Sequence, residues 1–130
     1  MSEYGAHRGS VEDVCWHKFH PEIFASCGDD RYVHVWDTRK NETPISKILA
    51  HTGEIYSIDF NNFNEYLFIT ASDDKTINLF DLRNTSKPLH TFESHHDQVL
   101  KVEWSPFNLS TFISASADRR AMLWDFSKCG

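Results

Sequence analysis

The sequence predicts an all-β fold, a partial propeller of three blades, and two observations carry that prediction. Three stretches of the chain align at an offset of 44 residues without a gap. Within each stretch, apolar and polar residues alternate with a period of two, which is typical of half-buried strands. A repeat of about this length that ends in Trp-Asp or Phe-Asp is typical of a four-stranded propeller blade. We interpret residues 1–130 as one domain with repeats at 7–50, 51–94 and 95–130.

Each repeat contains three predicted strands, and a fourth follows in the first two repeats. The first strand of each repeat, which we call the inner strand, is marked by alternating apolar and polar residues, such as Ile58, Asp59 and Phe60 in the second repeat. The second strands are predicted at 23–27, 67–71 and 111–115, and the third strands at 33–36, 77–80 and 121–124. Asp-containing turns join these two strands, because Asp hydrogen-bonds its own backbone in turns. Residues 44–49 and 88–92 predict short edge strands, where a leading proline is tolerated.

The composition excludes several classes of protein. The 130 residues carry a net charge of −6, which argues against direct nucleic-acid binding and favours basic partners. No apolar run approaches the roughly 20 residues that span a bilayer, and residues 1–10 are too polar for a signal peptide. Cys15, Cys27 and Cys129 show no CxxC spacing, so neither a disulfide framework nor a zinc site is indicated. A reducing compartment follows, the nucleus or the cytoplasm, and no membrane partner or cofactor is predicted.

Each repeat also places a histidine, a hydroxyl residue, an aspartate and an aromatic residue at the same positions. The sets are His7, Ser26, Asp30 and Trp36; His51, Thr70, Asp74 and Phe80; and His95, Ser114, Asp118 and Trp124. A nucleophilic triad would use similar groups, but an enzyme needs one site rather than one per repeat, so no enzyme is predicted. Metal binding is the other alternative. His95 and His96 are the only close pair, and neighbours in an extended segment point apart, so no metal is predicted either.

These sets resemble those of the WD40 family, in which they form a buried hydrogen-bonded chain within each blade. There the aspartate binds the imidazole, the imidazole binds the hydroxyl, and the hydroxyl meets the indole N–H. Phe80 has no N–H, so the resemblance implies that the second blade lacks the last link. The segments VEDVCWH, WDTR, HTFESHHDQ, WSPFN and DRRAMLWD are more specific. They look like the middle blades of the retinoblastoma-binding histone chaperones, which include the small subunit of chromatin assembly factor.

That resemblance implies a nuclear scaffold that binds histone tails or other basic peptides within chromatin assembly and modifying complexes. In the family, acidic and aromatic side chains on the top face hold the tail. The matching positions here are Glu12, Asp29, Glu54, Tyr56, Asp73, Gln98 and Leu100. Gln98 and Leu100 depart from the family, because a glutamate and an aromatic residue are expected there. The alternative interpretation is that all seven are simply solvated loop residues.

A second motif, Trp-Asp-x-Arg, places Arg39 and Arg83 just after the third strand of the first two repeats. The second copy has Phe80 in place of the tryptophan, and the third repeat has Ser127 at the arginine position. The motif resembles the docking box of cullin-type ubiquitin-ligase substrate receptors, so these arginines are candidates for adaptor docking. The alternative is a salt bridge at the end of a strand.

Three blades do not close a ring, since propellers have at least four. The pattern therefore predicts two uncovered apolar blade faces, which are interaction sites. Two explanations stay open. The chain is a fragment or truncated relative of a seven-bladed protein, or two copies pair head to tail into a six-bladed ring. A self-assembling half-propeller without a peptide site is a third functional hypothesis.

Overall fold

The computed structural model describes residues 2–40, 43–93 and 95–128, and within these ranges the chain is almost entirely β-structure. The strands are β1 (Val11–Trp16), β2 (Ile23–Gly28), β3 (Tyr32–Asp37), β4 (Ser46–Leu49), β5 (Ile55–Phe60), β6 (Leu67–Ser72), β7 (Ile77–Asp81), β8 (His90–Phe92), β9 (Val99–Trp104), β10 (Thr111–Ser116) and β11 (Ala121–Asp125). One short 3-10 helix, Phe126–Lys128, follows the last strand. No helix among the described residues is long and apolar enough to cross a membrane.

The strands form three antiparallel sheets, and in each sheet strands that are neighbours in sequence are neighbours in space. The first blade has the order β1-β2-β3-β4, the second β5-β6-β7-β8, and the third, three-stranded in the described residues, β9-β10-β11. This arrangement confirms the predicted all-β fold of propeller blades. The fourth strands begin two residues after Pro44 and Pro88, later than predicted, and each proline lies just before the ladder, where its missing N–H costs no bond. The residue after each proline already donates to the third strand, Ile45 to Val35 and Leu89 to Leu79.

One end of the blades carries the turns between the second and third strands, and we call it the upper edge; the opposite end is the lower edge. Arg31, Lys75 and Arg119 lie in these upper turns, 44 residues apart, with φ angles of 74°, 74° and 66°. A non-glycine residue in this left-handed region is uncommon, so the same strained turn is built three times. The repeat in sequence is therefore a repeat in backbone geometry.

The blades stack face to face, with one apolar core between each neighbouring pair. Side chains on a strand alternate between its two faces, so each blade has a front face toward the preceding blade and a back face toward the next. The first core joins the back of the first blade, including Ala25 and Val35, to Phe60 and Phe68 on the front of the second. The second core joins the back of the second blade to the front of the third. It contains Ile69, Ala71, Ile77, Leu79, Val102, Trp104 and Phe112.

Hydrogen bonds from one blade to the next fix how the inner strands sit beside each other. Asp13 accepts the Ile58 backbone N–H at 3.0 Å, and Asp59 accepts the Trp104 backbone N–H at 2.9 Å. The Trp104 indole N–H also donates to the Asp59 carbonyl at 3.1 Å. These amides point out of their own sheets and would otherwise be buried without a partner, which costs about 1–3 kcal/mol each. Neighbouring blades are therefore joined by carboxylate hydrogen bonds in addition to the apolar cores.

Candidate functional site

The first and third blades each contain a four-residue hydrogen-bonded chain. In the first, His7 Nδ1 lies 3.0 Å from the Asp30 carboxylate and His7 Nε2 lies 2.7 Å from Ser26 Oγ. The Trp36 indole donates to the same hydroxyl at 2.9 Å. An ionised aspartate can only accept, so Nδ1 carries the proton and Ser26 donates to Nε2. His95, Asp118, Ser114 and Trp124 repeat the arrangement at 2.7–2.9 Å in the third blade.

The second blade has the same chain without its last link. His51 contacts Asp74 at 2.9 Å and Thr70 at 2.7 Å, while Phe80 stacks on a neighbouring phenylalanine instead of donating. Burial acts to raise the pKa of Asp74, but hydrogen bonds from His51 and Thr76 outweigh it and hold that pKa well below its usual range. The imidazole bonds to the carboxylate through one ring nitrogen and to the hydroxyl through the other. Each set therefore stabilises its own blade. Its polar groups already have hydrogen-bond partners within that blade.

His34, which the sequence reasoning missed, is a buried polar residue beside the four-residue hydrogen-bonded chain of the first blade. It is fully buried, and neither ring nitrogen has a hydrogen-bond partner among the described residues. Its ring stacks on His7 with centroids 4.1 Å apart and planes 9° apart. Ligand atoms of His7, Asp30 and His34 lie within 4.8 Å of one another. Parallel stacked rings direct their lone pairs along separate planes, however, so the two imidazoles cannot share one metal ion as they stand.

The sequence signal for His34 is a break in the repeat, because Asn78 and Met122 occupy its position in the other blades. Asn78 donates to the Ala50 carbonyl at 2.7 Å and accepts from Thr91 at 2.7 Å, so the second blade satisfies this buried position. Burial is the main factor that lowers the pKa of His34 to about 4. The imidazole therefore stays neutral near pH 7.

Three of the predicted top-face residues occupy one recurring backbone feature, a β-bulge in the inner strand of each blade. The register skips one residue between Val11 and Asp13, between Ile55 and Ser57, and between Val99 and Lys101. The extra residues are Glu12, Tyr56 and Leu100. A bulge leaves its extra residue outside the ladder and re-aims the side chain, and such features are common beside binding sites.

Backbone hydrogen bonds bring the upper turns against these bulges. The Asp73 N–H donates to the Glu54 carbonyl at 3.0 Å, and the Asp29 N–H donates to the Ser10 carbonyl at the same distance. Gly53 makes room for this approach, since a Cβ there would collide with the Asp73 carboxylate. We call Glu12, Asp29, Glu54, Tyr56 and Asp73 the acidic rim. It draws on two blades and lies at the upper edge.

The members of the acidic rim influence one another electrostatically. Desolvation first, then the carboxyl of Asp29 and the charge of Glu54, raise the pKa of Glu12 above its usual value. Desolvation and the charges of Glu54, Asp73 and Glu12 raise the pKa of Tyr56, whose hydroxyl donates to Glu54 at 3.2 Å. Asp29 Oδ1 is buried and has no hydrogen-bond partner among the described residues. The rim thus concentrates negative charge and holds an unsatisfied acceptor.

The third blade does not extend this charge. Gln98 and Leu100 are neutral, and Ala117 stands where Asp29 and Asp73 stand in the other blades. The backbone geometry is nevertheless the same, because the Ala117 N–H donates to the Gln98 carbonyl at 2.9 Å. The bulge is therefore a property of the fold, and the side chains alone distinguish the third blade. Its Leu100 is 46% exposed.

The two Trp-Asp-x-Arg arginines lie at the lower edge, far from the acidic rim along the strands. Arg39 binds Asp37 through two side-chain hydrogen bonds of 3.1 and 2.8 Å, and Arg83 binds Asp81 in the same way. These contacts hold the pKa of Asp37 down, to about 2. Both arginine side chains are still mostly exposed. Each guanidinium is thus oriented by the aspartate two residues before it.

A comparison with known families agrees with this architecture. A family model described as the EIPR1 beta-propeller matches residues 1–124, nearly the whole chain. The match fits the three meandering sheets and the repeated histidine, hydroxyl and aspartate sets. It supports a WD40-like propeller scaffold and does not single out the histone-chaperone branch that five segments resemble. On this match, the chain belongs to the EIPR1 β-propeller family.

Proposed function

We propose that this chain is a protein-interaction scaffold that binds a basic peptide at its acidic rim. The observation that carries the proposal is the convergence of four carboxylates and Tyr56 from two blades at the upper edge, with Asp29 Oδ1 buried and unsatisfied. A cationic group bound at the rim would relieve the repulsion between Glu12 and its acidic neighbours. The surface is suited to arginine or lysine.

Arginine is the best match on physical grounds. Its planar guanidinium can bond a carboxylate through two parallel hydrogen bonds, and such charge-assisted bonds are about twice as strong as neutral ones. Tyr56 could also cover the aliphatic stem or make a cation–π contact. The net charge of −6 attracts a basic peptide from a distance, which raises the association rate. Contact would centre on the first two blades, since the third offers Gln98 and Leu100.

Histone tails are the first basic peptides to test, because the chaperone resemblance of the five quoted segments supports them. On this proposal the chain serves as a nuclear scaffold in chromatin complexes. The same rim would accept another Arg- or Lys-rich segment. The binding chemistry is common to both cases, and a panel of peptides separates them.

The test measures binding of a fluorescently labelled histone-tail peptide by anisotropy to the full chain. Replacing Glu12 and Glu54 together by glutamine should weaken affinity about tenfold, or roughly 1.4 kcal/mol, and flatten its dependence on salt. Glu65→Gln is the matched control, because it removes one carboxylate from the lower edge. Equal affinity of the double variant and the control would contradict the proposal. A second basic peptide of unrelated sequence tests whether the rim prefers histones.

The raised pKa of Glu12 gives a further readout. Glu12 takes up its proton at a higher pH than an ordinary glutamate, so the rim loses charge earlier as the solution is acidified. Affinity for the peptide should fall as the pH is lowered from 7 toward the usual glutamate range. In the Glu12→Gln variant this dependence should be weaker. Identical pH profiles would argue against Glu12 as a binding group.

The lower edge supports a second candidate function, docking of a cullin-type ubiquitin-ligase adaptor by Arg39 and Arg83. The favourable observation is that both guanidinium groups are exposed and oriented by Asp37 and Asp81. Charge reversal at both arginines should abolish pull-down of the adaptor and leave peptide binding at the acidic rim unchanged. Double replacement by lysine keeps the charge and removes the bidentate fork, so it separates charge from geometry. Pull-down that survives charge reversal would contradict this role.

A further inference from the structure

A small apolar cavity opens at the lower edge, in the seam where the back of the first blade meets the front of the second. Its volume is about 260 Å³, and its apolar lining consists of Ile23, Val35, Ile45 and Leu82. Small-molecule sites are usually larger, about 300–1,000 Å³, so this cavity fits a single side chain better than a whole ligand. Both walls of the seam are described, so the cavity does not depend on what covers the two ends of the blade stack.

Hydrogen bonds across the seam hold the wall of this cavity in place. His17 Nδ1 accepts the backbone N–H groups two and three residues later, both at 3.0 Å, and His17 Nε2 donates to the Glu65 carbonyl at 2.8 Å. Both residues line the cavity. Asn61 repeats these contacts at the next seam, where its amide donates to the Leu109 carbonyl at 2.9 Å. The cavity is therefore preformed, which reduces the ordering cost of binding.

The next seam, between the second and third blades, carries different side chains at two of these positions. Phe126 stands 44 residues after Leu82, and its ring packs on the second core with its centroid 5.8 Å from that of Trp104. Leu82 packs on the first core, but a leucine fills less space than a phenylalanine. Ser127 likewise stands where the first seam has Arg83. The second seam thus supplies a ring of its own and no cation at these positions, whereas the first supplies a cation and no ring.

Arg83 lines the cavity, and its guanidinium group lies at the mouth, since the side chain is 62% exposed. Asp81 binds Nε and Nη2 at 3.0 and 2.6 Å, and the guanidinium carbon lies 4.3 Å from the centre of the Tyr66 ring. Among the described residues, Nη1 has no hydrogen-bond partner. The Glu65 carboxylate lies 3.4 Å from His20 Nε2. A carboxylate from a partner would therefore be directed to Nη1 of the arginine.

We propose that this seam cavity binds a partner protein through one aromatic side chain that stands next to a carboxylate. The ring would enter the space beside Leu82, much as Phe126 fills the next seam, and the carboxylate would bond to Arg83. A buried ring and a charge-assisted arginine contact are typical of the few residues that dominate the binding energy of an interface. The site lies at the opposite edge from the acidic rim and takes the opposite charge, so it goes beyond the proposed binding of basic peptides.

The occupant is a short linear segment of the partner. The cavity holds one side chain and Arg83 lies at its mouth, so two neighbouring residues of an extended segment reach both groups. Arg83 also belongs to the lower-edge surface considered for adaptor docking. That role uses Arg39 as well and does not involve the cavity. Filling the cavity therefore distinguishes the two roles.

The first test selects random linear peptides displayed on phage against the full chain and measures the enriched peptides, labelled with fluorescein, by anisotropy. We expect an enriched pattern of phenylalanine, tyrosine or tryptophan next to aspartate or glutamate. Leu82→Phe, which copies the second seam, should weaken binding of these peptides at least about tenfold. A selection that enriches no such pattern, or equal affinity for the wild type and Leu82→Phe, would overturn the proposal.

Leu82→Phe should fold normally, because the next seam accommodates a phenylalanine at the same position, and its urea midpoint should be no lower than that of the wild type. Arg83→Ser, which copies the third repeat, is the second variant, since it removes the cation and leaves the cavity open. It should weaken binding about tenfold for an acidic peptide and little for the same peptide with an amide in place of the carboxylate. Arg39→Ser is the matched control, because Arg39 does not line the cavity. Equal losses from the two arginine variants, or for the two peptides, would overturn the role of Arg83.

Basic peptides separate this site from the acidic rim. They should bind Leu82→Phe and Arg83→Ser as tightly as they bind the wild type. The double replacement of Glu12 and Glu54 by glutamine should in turn leave the acidic aromatic peptides unaffected. Failure of basic peptides to bind would count against the rim alone. Acidic aromatic peptides that bind the double variant less tightly would belong to the rim, and that result would overturn the seam site.

Discussion

Acid should destabilise this protein through one buried group, His34. The side chain is fully buried without a hydrogen-bond partner among the described residues, and its pKa is lowered to about 4. Burial is the largest cause, the charges of His7 and Lys47 lower the pKa further, and Asp30 acts in the opposite direction. In the unfolded chain a histidine has a pKa of about 6.5. Between about pH 6.5 and pH 4, His34 therefore binds a proton in the unfolded state and stays neutral in the folded state.

The sign and size of the effect follow from this difference. Above pH 6.5 both states hold a neutral His34, so its contribution to the free energy of unfolding is fully present. As the pH falls from about 6.5 toward about 4, only the unfolded state gains the proton and stability is lost. The difference of roughly 2.5 pKa units corresponds to about 3 kcal/mol in total, of which about 2 kcal/mol is lost by pH 5.

His34→Asn should remove this acid sensitivity, because it copies the solution of the second blade. The new amide can donate to the carbonyl of Ala6, as Asn78 donates to Ala50, and Lys47 lies where Thr91 donates to Asn78. Urea unfolding at pH values from 7.5 to 4.5 measures the free energy of unfolding of each variant.

The wild-type curve should fall below the His34→Asn curve by about 2 kcal/mol more at pH 5 than at pH 7.5. His96→Asn, which replaces an exposed imidazole on the third blade, is the control and should follow the wild type. Wild-type and His34→Asn curves that run parallel over the whole range would refute the reasoning.

Three further predictions concern stability and are measured by urea unfolding at pH 7.5. Trp36→Phe removes the indole donor, as the second blade already does, and should cost about 1 kcal/mol for the lost hydrogen bond; a loss within error would contradict a stabilising role. Asp59→Ala leaves the Trp104 amide buried without an acceptor and should cost at least about 1–3 kcal/mol, whereas an unchanged midpoint would mean that this link between blades is dispensable. Lys75→Gly relieves a left-handed residue with a φ of 74° and should raise stability by about 1 kcal/mol; destabilisation would contradict the strain.

Much of the fold could be predicted because the repeat has no gaps. An offset of 44 residues places each strand, each turn aspartate and each histidine by analogy with two other copies. The polar sets were also predictable, since buried polar groups need partners and the same residue types recur together. The edge strands were predicted two residues too long at Pro44 and Pro88, because an apolar pattern does not show where ladder pairing begins.

The candidate site was harder to predict in detail. The sequence places Glu12, Tyr56 and Leu100 in register, but only the pairing of β1, β5 and β9 with their neighbours reveals that each is the extra residue of a bulge. The orphaned oxygen of Asp29 and the stacked ring of His34 depend on side-chain packing between distant segments. Departures from the repeat, such as His34 where Asn78 stands, were the available signal for such features.

The stacked arrangement of the blades has a consequence for how the molecule opens. Each blade is a sheet of strands adjacent in sequence, so each can melt as a unit, and its resistance depends on its nearest neighbours. The second blade is covered on both faces, and every residue of β6 is buried. In the third blade, by contrast, exposed and buried residues alternate along β10. Backbone amides should therefore exchange with deuterium more slowly in β6 than in β10, the equivalent central strand of the third blade. The middle blade should therefore have the highest free energy of local unfolding of the three.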